Sequence, residues 1–396
     1  MEKRLVKVAP YVLDLTEPLA DNQEGLFALD ENTLLKLDQN EATVAPSPRV
    51  IKVLQHAIDS KSLNHQTDIM SRKLRRKISD YTAIGFDYID CFAGQAAVME
   101  TITRTYLHQG LDTLLAWPGD SSFAHYANCA SARVINAQFE NPFEPKIEEL
   151  INGITSKTRM IYISNPNSIT GAIFTEAELV FLLSYATESM IVIDESYFEF
   201  CGFSAAELIE KYSNIMVIRS FSKAFALAGM DVYYLLTDPA NLKFTRRLSY
   251  MKQPNLPAQV AAIAAMDSLD YVVALITKIN ESKKMLFDNL PRMGYEFRIS
   301  PANFFLLAVN DSVKLADDLM RYNIYINRLD NYHSFENYVR ITIGTPAQTG
   351  VLLDVLGRFA ETQAISMKQS RLRLKRDIIA DTEKAVGSKS TIEIVD

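Results

Sequence analysis

The sequence has few of the residues that build disulfide frameworks, metal sites or membrane spans. Its three cysteines, Cys91, Cys129 and Cys201, show no C-x-x-C spacing, so neither a disulfide framework nor a zinc site is indicated. The five histidines have no metal-ligand spacing either. No apolar run approaches the roughly 18 residues that cross a bilayer, and MEKRLVKVAP at the start lacks the apolar part of a signal peptide. These features predict a protein of the reducing cytoplasm that holds no metal.

Acidic residues outnumber basic residues. The chain of 396 residues carries 41 Lys and Arg against 48 Asp and Glu, a formal net charge of −7. A nucleic-acid surface needs clustered basic residues on one face, so nucleic acid is not an expected partner. With 48% hydrophobic and 22% charged residues the chain can bury a large core, and its length fits two or three domains.

Short apolar runs alternate with helical patterns between residues 86 and 240. The runs are YIDCF (88–92), TLLAW (113–117), RMIYIS (159–164), MIVID (190–194), IMVIR (215–219) and VYYLL (232–236). Near-continuous apolar strands separated by helices predict an α/β fold with a mostly parallel sheet covered on both faces. In such sheets the ligand lies beyond the carboxyl ends of the strands.

Helix signals and a second set of strands complete the predicted organisation. Ser47-Pro48 is typical of a helix start, and Thr175 with Glu178 forms a capping-box pattern. After Pro257 we expect one long amphipathic helix, followed by the strands FRIS (297–300), ANFFLLAV (302–309), IYINRL (324–329) and YVRITIG (338–344). The predicted units are an N-terminal segment (1–45), a large domain (46–265), a smaller C-terminal α/β domain (266–361) and a charged C-terminal extension (362–396).

Polar residues that can carry chemistry follow three of these strands. In IRSFSKAFALAGM (218–230), Lys223 stands among hydroxyl-bearing and small residues just after an apolar strand. Asp194 ends the strand at 190–194, and Tyr197 follows three residues later. A lysine amine in this setting suits a carbonyl cofactor, which it can bind as a Schiff base.

The chain resembles the fold-type I pyridoxal-phosphate (PLP) enzymes, and within them the histidinol-phosphate aminotransferase group. The pattern covers roughly residues 35–360 and includes the segments 37–54, 92–110, 118–134 and RITIGTP (340–346). The resemblance implies the fold-type I architecture, PLP as cofactor, transfer of amino groups between small-molecule amino and keto acids, and a homodimer.

The resemblance also implies residue roles. Lys223 corresponds to the lysine that forms the Schiff base with PLP, and Asp194 to the carboxylate that keeps the pyridine nitrogen protonated. Tyr197 corresponds to the tyrosine beside the ring's phenolic oxygen. Arg340 corresponds to the arginine that grips the substrate α-carboxylate, and Arg328 to a residue that can meet a distal anion.

Further residues are expected around the cofactor on the same basis. Together with Asp194, Tyr197 and Lys223, the predicted cofactor-binding residues are Gly94, Gln95, Ala96, Phe123, Asn167, Ser168, Ser220 and Ser222.

The sequence departs from the family pattern at four cofactor positions. Asp231 occupies the position of the arginine that binds the cofactor phosphate. Ser168, followed by Ile169, replaces the asparagine and proline of the family's NPTG turn. Asp120 falls where an aromatic residue stacks on the ring, with Phe123 and Trp117 nearby. Gln66 falls where the neighbouring subunit offers a tyrosine.

These departures predict an active enzyme with a remodelled phosphate cup. We expect Ser220, Ser222, the backbone amides of Gly94–Ala96, and His65 or a nearby arginine to take over the phosphate.

Three functions remain open from the sequence. The leading one is a PLP-dependent aminotransferase acting on an amino acid, in a specialised biosynthetic pathway. The second is a PLP-dependent decarboxylase or lyase of an amino acid or its phosphate ester, because the same residues support either bond cleavage. The third is a cofactor-free scaffold homologue, suggested by Asp231 and Ser168. A visible absorbance spectrum separates the third from the others, and keto-acid production separates the first two.

Overall fold

The computed structural model describes residue 15 and residues 34–60, 62–65, 67–119, 121–332 and 335–360. The predicted roles of Gln66 and Asp120 lie outside these residues. So do the C-terminal extension and most of the N-terminal segment.

Twelve strands and eleven helices are bounded within the described residues. The strands are β1 (Leu35–Leu37), β2 (Ile89–Ala93), β3 (Asp112–Ala116), β4 (Arg133–Ala137), β5 (Thr158–Ser164), β6 (Met190–Asp194), β7 (Ile215–Ser220), β8 (Val232–Thr237), β9 (Phe297–Ile299), β10 (Phe304–Ala308), β11 (Ile324–Arg328) and β12 (Tyr338–Thr342). The helices are α1 (Pro48–Asp59), α2 (Arg72–Thr82), α3 (Gln95–Tyr106), α4 (Ser121–Cys129), α5 (Ile147–Ile151), α6 (Glu176–Tyr185), α7 (Phe198–Cys201), α8 (Pro239–Leu248), α9 (Leu256–Met266), α10 (Leu269–Asn289) and α11 (Ser312–Met320). Residues 346–360 are also helical.

The larger sheet has seven strands in the order β2-β8-β7-β6-β5-β3-β4. β4, β3, β5, β6 and β7 pair in parallel, whereas β8 is antiparallel to both of its neighbours. This confirms the mostly parallel sheet. All six predicted strands lie within about one residue of their expected bounds. β4 was not predicted, because only its last residue is fully buried and its sequence, RVINA, is not a continuous apolar run.

Both faces of this sheet are buried. Along β5, Ile161 and Ile163 pack into one hydrophobic core, while Met160 and Tyr162 pack into another. Since successive side chains of a strand point to opposite faces, burial on both sides requires apolar residues at nearly every position. This is the physical origin of the uninterrupted apolar runs.

Two helix starts have the predicted caps. The Ser47 hydroxyl accepts a hydrogen bond from the Val50 N–H at the start of α1, with proline in the first turn. At the start of α6, Thr175 and Glu178 form the reciprocal capping box. These caps satisfy amide groups that a helix N-terminus leaves without partners.

The smaller sheet has the order β1-β11-β12-β10-β9. β1, which comes from the N-terminal segment, pairs in parallel with β11, and the other pairs are antiparallel. The C-terminal strands therefore form a separate sheet, as expected. The boundaries proposed at residues 45/46 and 265/266 stay a prediction.

The single long helix expected after Pro257 is wrong, because the structure has two helices there. α9 ends at Met266, and the next helix is bent from it by 73°. Asp267, the residue that follows α9, forms ion pairs with Arg49 and Lys77. Within the described ranges, no single helix is long and apolar enough to cross a membrane. The bent pair formed by α9 and Leu269–Met293 passes that length and composition test only as a pair.

Candidate active site

A cavity of about 220 Å³ lies at the carboxyl ends of β5, β6 and β7. Ser164 and Asp194 line it from the last residues of β5 and β6, and Lys223 lines it from the turn after β7. The predicted site residues that line this cavity are Gln95, Ser168, Asp194, Tyr197, Lys223 and Arg340. The cavity is therefore at the edge where a doubly covered parallel sheet binds its ligand.

Asp194 is buried, and among the described residues Ser196 and Tyr162 donate three hydrogen bonds to it. Its Oδ1 accepts from the Ser196 backbone N–H at 2.9 Å and from the Ser196 hydroxyl at 2.6 Å. Its Oδ2 accepts from the Tyr162 hydroxyl at 2.7 Å. Donors aimed at a carboxylate fix its orientation and stabilise its charge. Asp194 is thus prepared to face a cationic group in the cavity.

Three consecutive residues after β1 contact three of the predicted functional side chains. We call Asp38, Gln39 and Asn40 the 38–40 segment. The Asp38 carbonyl accepts from Arg340 Nη2 at 2.9 Å, and the Gln39 carbonyl accepts from Lys223 Nζ at 2.8 Å. The Asn40 side chain donates to the Tyr197 hydroxyl at 2.9 Å. Asn40 adopts a φ of 54°, a left-handed conformation that asparagine tolerates better than most residues.

Arg340 is almost fully buried at the wall of the cavity. Its Nη1 donates to the Ser168 carbonyl at 2.9 Å, in addition to the Nη2 bond described above. Its Nε is buried and has no hydrogen-bond partner among the described residues. A guanidinium has five N–H groups, so this arginine keeps donors for an anion after positioning itself with two.

A second, larger cavity of about 600 Å³ shares the lining residues Gln39, Ile169, Tyr332 and Arg340 with the first. Arg328 lines this second cavity, where its Nε lies 3.0 Å from Asp330 Oδ2. Its charge is therefore partly offset. Arg340 borders both cavities, whereas Arg328 borders only the larger one, which we call the outer cavity.

Two of the residues predicted at the cofactor, Phe123 and Asn167, make contacts within the protein. Phe123 is fully buried and stacks on Tyr162 with ring centroids 4.2 Å apart, so its link to the site runs through the tyrosine that bonds Asp194. The Asn167 side chain donates to the Pro118 carbonyl and accepts from the amides of Ile169 and Thr170. Its amide stabilises the turn, which leaves Ser168 on the cavity wall.

Among the residues expected at the cofactor phosphate, Gly94, Gln95 and Ala96 form the start of α3. Ser220 and Ser222 are buried, and the Ser220 hydroxyl accepts from the Ser222 amide at 2.9 Å. Gly94 precedes α3 with a φ of 96°, and Ala96 lies in its first turn. His65 is exposed and is not a lining residue of this cavity. Trp117 packs against Tyr332, with centroids 5.5 Å apart.

A buried ion pair joins the strand ends that carry these residues. Glu195 follows Asp194, Arg219 precedes Ser220, and Arg219 Nε lies 2.9 Å from Glu195 Oε2. Nearby, burial raises the pKa of Glu199 to about 7, although Tyr81 donates a hydrogen bond to it. The pair links β7 to the residue that follows β6, next to the strand ends that line the cavity.

Sequence reasoning missed Gln39, Asn40, Tyr162 and Ser196. Asn40 falls in the quoted segment 37–54, so its presence there was a usable signal. Tyr162 sits in an apolar strand, where nothing in the sequence distinguishes it from a core tyrosine. Gln39 acts through its backbone carbonyl, which no residue pattern reveals.

The model of the family "Aminotransferase class I and II" matches residues 32–356. The chain belongs to this family, which confirms the predicted class: a fold-type I, PLP-dependent aminotransferase.

Relatives and solved structures agree with this assignment. The chain is 29% identical to the dihydroxyacetone phosphate transaminase of Campylobacter jejuni, over 91% of this chain and 97% of that protein. It is 25% identical to the histidinol-phosphate aminotransferase of Methanothermobacter thermautotrophicus, over 85% and 91%. The crystal structure of histidinol-phosphate aminotransferase from Sinorhizobium meliloti in complex with pyridoxal-5'-phosphate superposes with a TM-score of 0.81 at 18% identity, over 91% and 99%. This last likeness concerns the fold.

Proposed function

We propose that this aminotransferase binds the ring of PLP in the 220 Å³ cavity and uses Lys223, Asp194, Tyr197 and Arg340 in the roles expected from the sequence. The observation that carries the proposal is that all four side chains line one cavity. The cavity fits the ring, because it offers an amine, a carboxylate held by three donors and a phenol. When bound, PLP supplies an electrophilic carbonyl and an electron-withdrawing ring.

Lys223 has two tasks in this proposal. Its amine is held by the Gln39 carbonyl, and it must leave that contact to bind the cofactor carbonyl. When it is not holding the cofactor, the Lys223 amine would be placed to move the proton at the substrate Cα.

Asp194 and Tyr197 act on the ring. The Asp194 carboxylate holds a proton on the ring nitrogen, since an opposite charge favours the protonated form. Tyr197, positioned by Asn40, donates its hydroxyl toward the phenolic oxygen. Both groups are buried, so water does not compete strongly for them.

Arg340 is proposed to bind the carboxylate of an α-amino acid. A planar guanidinium and a carboxylate can form two parallel hydrogen bonds, which fix the Cα–H bond relative to the ring. The names of the two relatives specify phosphate esters as substrates. In this chain Arg328 is the residue that can meet such a distal group, and Asp330 offsets part of its charge. We therefore propose that the outer cavity takes a polar, hydroxyl-bearing tail.

We also propose a homodimer in the cytoplasm. Large apolar side chains are exposed on α1 and in the turn after α8: Ile58 is 60% exposed, Tyr250 74% and Met251 54%. A second copy of the chain that covers them would remove apolar surface from water. Sedimentation of the purified protein should give twice the chain mass, and a monomer would contradict this.

The proposed reaction is tested by mixing the cofactor-loaded protein with candidate amino acids in a single turnover. Pyridoxamine phosphate and a keto acid support transamination. Carbon dioxide with unchanged cofactor supports a decarboxylase instead. If adding the protein to PLP left the absorbance spectrum of the cofactor unchanged, both would be contradicted and a scaffold favoured.

A further inference from the structure

The first turn of α3 borders the cavity that contains Lys223. Gln95, the first residue of α3, lines this cavity. The first amides of a helix have no partner within the helix, and together with the helix dipole they form a natural site for an anion. An anionic group on a ligand in the cavity would be expected to reach this helix end.

A protein carboxylate is already there. Asp231 follows a short 3₁₀ turn, Ala228–Met230, and adopts a φ of 47°. Its carboxylate accepts a hydrogen bond from the Gln95 backbone N–H. A Cβ added to Gly94 would collide with Asp231 Oδ2 and lie 2.8 Å from its Cγ. The carboxylate is therefore packed directly against the backbone where the helix begins.

No basic side chain balances this charge in the described part of the chain. Burial raises the pKa of Asp231, and the hydrogen bond from Gln95 is the one interaction that opposes this rise. Around it the cavity offers neutral hydroxyl groups. Tyr233 lines the cavity from β8 and pairs in register with Ser220 on β7. Such groups can bond a neutral hydroxymethyl group, but they do not neutralise a phosphate dianion.

The described lining residues include two cations, and both have other contacts. Lys223 donates to the Gln39 carbonyl and is the amine assigned to the cofactor carbonyl. Arg340 donates to the carbonyls of Ser168 and Asp38. Like charges at short range repel strongly where water is excluded. A phosphate that approached the start of α3 would face the Asp231 carboxylate without a compensating charge from these two residues.

We propose that Asp231 is a built-in anion at the N-terminus of α3, and that this protein therefore binds the pyridoxal ring with little contribution from the 5'-phosphate. The inference rests on the proposed function, since it concerns the cofactor of the same cavity. It predicts that the unphosphorylated aldehyde, pyridoxal, binds nearly as well as PLP.

Asp231→Asn is the informative variant. Asparagine tolerates a positive φ and caps a helix as well as aspartate does, so the fold is retained. The matched control is Asp238→Asn. Asp238 also caps a helix, accepting from the Ala240 amide at the start of α8, but it lies at the other end of β8. The six residues of β8 place the two carboxylates on the order of 20 Å apart.

The first measurement titrates the full-length apo protein with PLP and with pyridoxal and follows visible absorbance. In the wild type we expect dissociation constants within about fivefold of each other, and in Asp231→Asn a gain in PLP affinity of about tenfold with pyridoxal unchanged. Asp238→Asn should change neither. A wild-type preference for PLP of about 100-fold, or weaker PLP binding in Asp231→Asn, would overturn the inference.

The second measurement does not depend on Lys223. It compares the melting temperature of each apo protein with and without inorganic phosphate. Phosphate should stabilise Asp231→Asn and leave the wild type and Asp238→Asn unaffected; equal responses reject the role of Asp231. If neither aldehyde produces absorbance in the wild type, the proposed function fails, while the phosphate response still decides what Asp231 does.

Discussion

The Tyr162 hydroxyl donates a 2.7 Å hydrogen bond to Oδ2 of Asp194, and both residues are buried. The tyrosine is itself held by the ring of Phe123, which stacks on it. The orientation of the carboxylate in the cavity therefore depends on packing in the core beneath it.

Replacing Asp194 with asparagine should leave cofactor binding measurable but remove most activity. The neutral amide cannot hold a proton on the ring nitrogen, and losing one charge-assisted contact costs about 2–3 kcal/mol, or about 100-fold in kcat. Steady-state kinetics with absorbance of the bound cofactor test this. Asp112→Asn, a buried carboxylate at the amino end of β3, is the control and should retain kcat. Kinetics unaffected by Asp194→Asn would reject the role of Asp194.

Tyr162→Phe should lower kcat by about tenfold and leave KM nearly unchanged. The substitution removes one of three donors to Asp194, a loss of about 1.5 kcal/mol for a bond to a charged group, while Ser196 still holds the other oxygen. Kinetics with a saturating amino donor give both constants. A rise in KM alone would show that Tyr162 contacts substrate and does not position Asp194.

Lys223 should be the residue to which the cofactor becomes covalently attached. Borohydride reduction of the PLP-loaded protein, followed by peptide mapping, is expected to put the pyridoxyl mass on Lys223 and to find none in Lys223→Ala. Lys283 is the relevant competitor, because burial lowers its pKa to about 8 and makes its amine more reactive at neutral pH. A main adduct on Lys283, or none anywhere, would contradict the site.

Arg340→Lys should raise KM for amino acids and also lower kcat. Lysine keeps the charge but loses the paired hydrogen bonds, so the Cα–H bond is misaligned. Arg340→Ala should have the larger effect. The measurement compares the kinetics of an amino acid with those of the matching amine that lacks a carboxylate. If Arg340 binds the carboxylate, its substitution should impair only the amino acid. If the amine were turned over as fast as the amino acid, and Arg340→Ala did not change that rate, the carboxylate-binding role of Arg340 would be rejected.

Glu199 should make the protein less stable as pH rises toward neutral. Burial raises its folded pKa to about 7 from an ordinary value of 4.5, so the unfolded chain releases its proton first. The stabilisation is complete below about pH 4.5 and is lost as pH rises to about 7, with a size of about 3 kcal/mol. The free energy of unfolding, measured with urea at pH 5 and pH 8, should fall between these pH values in the wild type. Glu199→Gln should lack this fall.

The sequence was sufficient to predict the central strands because burial on both faces makes β5, β6 and β7 apolar except near their ends. β4 lies at the edge of the sheet and is half-exposed, so its sequence carries no comparable pattern. In the site, Lys223 and Asp194 were recognisable as polar residues beside apolar strands. The Gln39 carbonyl was not, because a backbone group is the same in every residue. Asn167 at the cofactor stays a prediction, and the sequence could not show that its side chain also bonds the surrounding turn.

The 38–40 segment gives the cavity an unusual dependence on the order of folding. It contacts Tyr197, Lys223 and Arg340, which are 157, 184 and 302 residues from their respective partners along the chain. Contacts of such long range close late, because loop entropy must be overcome first. Cofactor absorbance is therefore expected to appear only after β1 has paired with β11 and the 38–40 segment is in place.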